Sequence, residues 1–203
     1  MGAAGRRRLL TTAGAALTYA TWDSGDKSSS FALSNGDLTG TSSADAAARA
    51  TISCSGANRY FEITVDSDVG VSDTLIGLSV NTAAHTAWYN RVGNEAYAIY
   101  GRGGSLSIYT LPAGWATYTG TYQQGDVIGV AYRVTDGELY FAINNTWGNS
   151  GDPVARTNPA FTGLSSSGLY PSVRMVGASQ AITADFGQSG FTYTPPTGFV
   201  GVY

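Results

Sequence analysis

The stretch "GDVIGVAYRVTDGELYFAINN", residues 125–145, decides how the rest of the chain is read. Asp136-Gly137 is a two-residue turn signal, because a type I′ turn needs positive φ at both central positions and Asp and Gly reach it cheaply. A turn there sets Thr135 opposite Glu138 and predicts the facing pairs Val134–Leu139, Tyr132–Phe141 and Val130–Ile143. The two-residue period of a strand puts all six side chains on one apolar face. The other face carries Arg133 with Tyr140, Ala131 with Ala142, and Gly129 with Asn144, which suits water or a thin cover. The hairpin therefore reads as scaffold: its best side chains point inward and its centre presents no acid, base or nucleophile.

Composition extends that reading. Among 203 residues there are 27 Gly and 13 Tyr but only 12 % charged residues, and Lys27 is the one lysine, so the Glu/Lys/Leu mixture of surface helices is missing. The length fits one domain with an arm. Short alternating segments follow one another between turn residues: "SSFALS", "ATISCS", "YFEITV", "TLIGLSV", "EAYAIYG", "SLSIYT", the hairpin, "LYPSVRM" and "AITADF". About ten strands without intervening helices predict an all-β fold, a sandwich of two antiparallel sheets. "SADAAARA", 43–50, is the one helix-like interior patch, with an irregular connection as the equal alternative. Segment 145–168 is rich in Gly, Ser, Pro and Asn and reads as an ordered surface loop held by Trp147 and Phe161.

The net charge of −3 conceals an asymmetry. Without the consecutive Arg6, Arg7 and Arg8 the remainder has 8 cations against 14 acids, or −6. Phosphate binding depends on clustered Lys and Arg, so nucleic acid is a poor partner for the body. Residues 1–20 read as a basic, small-residue arm before a domain at 21–203. A secretion signal is disfavoured by Thr11, Thr12, Gly14 and Thr18 in what would be its apolar stretch. No 18-residue apolar run exists to make a membrane-spanning helix.

With these strands in place the chain resembles a SPRY domain over roughly 22–199. The resemblance rests on Tyr60-Phe61-Glu62, Ile76-Gly77-Leu78, Tyr100-Gly101, 125–130, Gly137-Glu138-Leu139-Tyr140-Phe141 with Asn144, 169–173, Asp185-Phe186-Gly187 and the ending 191–199. It implies a bent antiparallel β-sandwich that recognises partners through loops at one end and has no catalytic activity. Where the family commonly has Asn-Gly after the "LYFAI" strand, this chain has Asn144-Asn145 and then "TWGNSGDPVA". That variant resembles SPRY proteins encoded by bacteriophages and prophages, which implies a virion or tail-associated component.

Chemistry-bearing residues are sparse. A glycan-cleaving site needs two carboxylates about 5–10 Å apart, but the glutamates are only Glu62, Glu95 and Glu138 and no acidic strand pattern joins them. His85 has no nucleophile pattern beside it. "DSDVGVSD", with Asp66, Asp68 and Asp73, begins like a calcium loop but has Gly77 at the twelfth position, where a bidentate Glu belongs. "GRGGS", 101–105, opens no helix and so cannot cradle phosphate as such loops do. Cys54 alternates with Ile52 and reads as a buried thiol. No cofactor and no metal are expected.

The resemblance leads to the expectation of a non-enzymatic structural protein of a phage particle, capsid decoration or tail/fibre-associated, located in the virion. Arg6, Arg7 and Arg8 would pair with carboxylates of other virion proteins while Leu9 and Leu10 add an apolar anchor. The alternative is a host-surface carbohydrate or receptor-binding module that uses Trp88, Tyr89, Trp115 and Tyr118, flat rings with a polar edge suited to sugars and proteins alike. A glycan-degrading enzyme ranks third.

Overall fold

The computed structural model describes residues 16–67, 74–81, 96–102, 105–110, 114–118, 120–164 and 168–203, with side chains for all of these but 102, 105–110 and 114–116. Fourteen strands run in chain order: β1 (Trp22–Lys27), β2 (Phe31–Ser34), β3 (Thr39–Ser42), β4 (Ala46–Ala50), β5 (Arg59–Ser67), β6 (Thr74–Val80), β7 (Ala96–Arg102), β8 (Ser105–Thr110), β9 (Gly114–Tyr118), β10 (Val127–Arg133), β11 (Glu138–Ile143), β12 (Thr146–Trp147), β13 (Leu169–Met175) and β14 (Ala181–Asp185). They form two seven-stranded antiparallel sheets, β1-β4-β13-β6-β7-β8-β9 and β12-β11-β10-β5-β14-β3-β2. A single 3-10 turn, Gly148–Ser150, is the helical structure among the described residues. The all-β sandwich expected from the strand pattern is what the chain forms.

The core between the sheets follows the two-residue period. Phe61, Ile63 and Val65 of β5, Ile76 and Leu78 of β6, and Val130 and Tyr132 of β10 are sealed from solvent, with Trp22 and Phe186 edge to face at 5.4 Å. A fully buried side chain of this size stabilises by roughly 1.5–3 kcal/mol, so the alternation alone favours one facing for every strand.

The hairpin has the expected faces but not the expected register. Arg133 pairs with Glu138, Tyr132 with Leu139, Val130 with Phe141 and Ile128 with Ile143, two residues away from the I′ prediction. Gly137 takes positive φ (67°) and Asp136 does not, so the connection is a four-residue loop in which Gly137 N–H donates to the Arg133 carbonyl at 2.8 Å. The longer loop leaves Val134 buried, and Asp136 holds Arg133 through its carboxylate at 2.8 Å. A shift of two residues keeps every side chain on its own face, which is why the face assignment survived. The turn with two positive φ values is the next one, Asn144 (47°) and Asn145 (65°), joining β11 to β12.

Two further readings are corrected. "SADAAARA" is neither helix nor irregular: Ala46–Ala50 is a strand between β1 and β13, buried along its whole length. Alanine is a weak strand former, and here the packing on both faces overrides that preference. "ATISCS" makes only a bridge from Cys54 to Leu169. Loop 145–168 is anchored in the main core, where Phe161 meets the rings of Tyr97 and Phe141 and the backbone at 160–161 pairs with Leu139.

The outer face of the hairpin is not bare. Tyr60, Ala131 and Tyr140 form a second apolar layer there, covered by Phe199 and, half-buried, Phe191 and Trp147. Residues 19–20 meet 202–203 beside it: Ala20 N–H donates to the Val202 carbonyl at 2.8 Å, and Tyr19 packs edge-on against Tyr203.

Candidate functional site: a loop platform at one end of the sandwich

Strand register decides which loops meet. Met175 lies opposite both Ala46 and Thr74, Ala181 opposite both Thr41 and Ser67, and Val127 opposite Thr64. Segments 43–45, 120–126, 144–145 and 176–180 therefore gather at one end, while the 134–137 turn lies at the other.

The platform is pinned by side chains that reach across the gap between the sheets. Gln180, 1 % exposed, accepts from the Thr74 hydroxyl at 2.7 Å and donates to the Val176 carbonyl at 2.6 Å. Ser42 exchanges backbone bonds with Ser179 and Gln180, and its hydroxyl accepts from Gln180 N–H at 3.1 Å. Asp45 accepts from Gly177 N–H at 2.8 Å and from Arg174 Nη2 at 2.9 Å. On the far side Asp126 accepts from Gln123 N–H and from the Asn144 amide, both at 2.8 Å, and the Tyr122 hydroxyl donates to the Thr74 carbonyl. A loop held by side-chain bonds at both ends has little ordering entropy left to lose when something binds it.

The platform turns a carboxylate outward and keeps its cation beneath. In the Asp45–Arg174 pair the carboxylate is 57 % exposed and the arginine 6 %; in Asp26–Arg49, further along the same sheet, the values are 33 % and 4 %. In both pairs the cation lies beneath and the acid faces out; exposed Asp66 belongs to the other sheet, on β5, and accepts from the Thr183 hydroxyl at 2.6 Å. Ala44 and Ala178 are exposed on either side of the Asp45–Gly177 bond, so small side chains cover the two segments it joins.

Of the residues singled out in the sequence, Arg6, Arg7, Arg8, Leu9, Leu10, Trp88, Tyr89, His85, Asp68 and Asp73 lie outside the described residues. Trp115 lies on β9 with its backbone opposite Tyr109. Tyr118 is a core residue: it is 3 % exposed, donates to the Phe141 carbonyl at 3.2 Å and sets its ring edge-on to Phe141. Burial pushes its hydroxyl up to about 12. It offers no free face for stacking on a ligand. Sequence reasoning missed Asp45, Thr74, Arg174 and Gln180, and no local signal could have found them, since Arg174 reaches Asp45 across 129 positions and Gln180 meets Thr74 across 106.

No helix among the described residues is long and apolar enough to cross a membrane. Among curated proteins the chain is 32 % identical over 121 residues to Protein ssh4 of Sclerotinia sclerotiorum, covering 60 % of this chain and 21 % of that protein. The same identity holds to Protein ssh4 of Botryotinia fuckeliana, covering 60 % and 20 %. The matched region thus spans about a fifth of the length of these relatives. Among solved structures, the SPRY domain of human HERC1 superposes with a TM-score of 0.65 at 16 % identity over 80 % of this chain and 96 % of that one. The TRIM65 PSpry domain gives 0.61 at 16 %, over 83 % and 92 %. The expectation of a phage structural protein in a virion is overturned: the curated relatives are fungal proteins, a solved neighbour is human, and nothing among them points to a particle. The SPRY domain model matches residues 58–189, well over half of the sequence, and the chain belongs to the SPRY family.

Proposed function

We propose that this chain is a non-catalytic protein-interaction module that holds its partner on the platform formed by 43–45 and 176–180. The observation that carries the reading is the pinning itself: Asp45 and Gln180 tie the two segments to each other and to the sheets through five hydrogen bonds, to Arg174, Thr74 and Ser42 of the strands and to Gly177 and Val176 within 176–180, leaving Ala44 and Ala178 exposed on a rigid base. Rigid backbone with small side chains admits a partner's larger side chains closely. The buried groups that could do chemistry are committed elsewhere. Burial pushes the Cys54 thiol up to about 12, and Glu62 accepts three hydrogen bonds from Tyr60, Thr192 and Tyr193.

The test is partner capture with surface-blocked variants. Ala44→Arg and Ala178→Arg fill the platform without touching the core, and Val154→Arg, at a site 50 % exposed near the other end, is the control. Proximity labelling should give a set of proteins that both platform variants lose and Val154→Arg retains. Loss only with Val154→Arg, or with none of the three, overturns the assignment.

A further inference from the structure

The outer face of the β12-β11-β10-β5 part of its sheet has the shape of a groove already occupied by the chain itself. Its floor is small: Gly129 lies opposite Glu62 and Ala142, and Ala131 opposite Tyr60 and Tyr140. Its walls are the rings of Tyr60 and Tyr140, with Trp147 opposite Ala142 at the edge. Gly129 is required, since a Cβ there would stand 2.8 Å from the Tyr60 hydroxyl that reaches Glu62. The segment from Gln188 to Gly198 crosses this groove. Phe191 sets its ring edge-on to Tyr60 at 4.9 Å, and the consecutive amides of Thr192 and Tyr193 donate to the two carboxylate oxygens of Glu62 at 2.8 and 2.9 Å.

The attachments of this segment are unequal. Phe199 is 7 % exposed, Val200 exchanges backbone bonds with Asn58 and Tyr60, and Val202 is fully buried, so the far end is fixed. Phe186, also fully buried, fixes the near end. Between them Phe191, Tyr193, Pro195 and Pro196 are only half-buried and Thr192, Thr194 and Thr197 are exposed. Gly190 (φ 80°) and Gly198 (φ 86°) bracket the stretch, each with open space where a side chain would be. Glycines in the left-handed region mark where the backbone can swing at no steric cost. The middle is thus an extended peptide held chiefly by Phe191 on the Tyr60 layer and by the Glu62 carboxylate, between two glycines and two firm anchors.

We propose that residues 190–198 are a displaceable self-ligand, and that the groove beneath them is a second interaction site for an extended partner segment of the same chemistry. That chemistry is an aromatic side chain for the Tyr60 ring, followed by two consecutive backbone amides for the Glu62 carboxylate. Recognition by main-chain amides leaves the neighbouring side chains nearly free, while the ring supplies the apolar contact. The site lies on the sheet face and is separate from the loop platform.

The test vacates the groove from the strap side in the full-length chain. Phe191→Ala with Thr192→Pro removes the ring and one amide donor and leaves Glu62 and Tyr60 intact. A labelled synthetic peptide of residues 188–198, added in trans, should bind this double variant about tenfold or more tighter than the unaltered chain. Adding Glu62→Gln to the double variant should weaken that binding about tenfold. Equal binding to the double variant and the unaltered chain, no binding to either, or binding indifferent to Glu62 would each overturn the proposal. So would a double variant that no longer melts cooperatively, because the strap would then be part of the core.

Discussion

At the scale of single residues, burial sets the chemistry. The Cys54 thiol is raised by desolvation to about 12, with Arg59 opposing only in part. Because the thiolate is the reactive form, iodoacetamide labelling at neutral pH should proceed at the rate of unfolding, and labelling faster than amide exchange in β5 would contradict the buried placement. Tyr118 and Tyr132 are likewise raised by burial from 10.0 to about 12. A raised value means the neutral form is favoured by the fold. Their contribution is complete below pH 10 and is lost as pH rises toward 12, so the part of the tyrosinate absorbance removed by Tyr118→Phe and Tyr132→Phe should appear together with loss of structure. Glu138 goes the other way: the Arg156 hydrogen bond, helped by Tyr140, holds its carboxyl below the ordinary value of 4.5. Its contribution is present above that value and disappears as pH falls through the lower one. Arg156→Met should therefore flatten the acid limb of the stability profile below about pH 5, and an unchanged limb would show the pair contributes nothing. Gly77 is a steric case, since a Cβ there would stand 2.0 Å from the Tyr97 carbonyl oxygen. Gly77→Ala should cost about 3 kcal/mol in chemical denaturation, because backbone cannot move aside as a side-chain tip can.

At the scale of elements, turns and strands answer to different constraints. The β11–β12 turn places Asn144 and Asn145 in the left-handed region, and the Asn144 side chain accepts from Val127 N–H while donating to Asp126. Asn144 is therefore fixed by its bonds, whereas Asn145 supplies only a conformation. Asn145→Gly should raise the melting temperature by about 1–2 °C, since glycine meets positive φ without strain, and Asn144→Gly should lower it through the lost bonds. The β10–β11 loop shows the converse: Asp136-Gly137 has the composition of a two-residue turn, yet Asp136 is held by Arg133 and Gly137 packs so closely on Leu164 that a Cβ would lie 2.6 Å from its carbonyl oxygen. Contacts to a distant loop chose the four-residue connection.

At the scale of the whole molecule, the sandwich is closed where residues 19–20 and Arg59 meet 201–203. Arg59, 7 % exposed, donates to the Ser55 carbonyl at 3.0 Å and the Gly201 carbonyl at 2.7 Å, and its guanidinium lies 4.8 Å over the Tyr203 ring. Val202 carries backbone bonds from both ends of the fold, to Phe186 and from Ala20. Removing residues 200–203 should lower stability by several kcal/mol, roughly the sum of a buried valine, its ladder bonds and an arginine that keeps only the Ser55 acceptor. A melting temperature within about 2 °C of the full chain would show the clasp to be superficial.

The sequence by itself determined the class of fold, the faces of its strands and the family, because these depend on local alternation and on short patterns read along one strand, such as "YFEITV" and "GDVIGV". It also determined that Tyr60, Glu62 and 191–199 belong to the recognisable frame, though not that they touch. Only the tertiary structure decided the hairpin register, the strand at Ala46–Ala50 and the platform built by Asp45, Thr74, Arg174 and Gln180. The reason is the same in each case: these features depend on contacts outside the local pattern, from Leu164 against Gly137 to partners more than 100 positions away, and a strand of alanines or a lone aspartate carries no local mark of them.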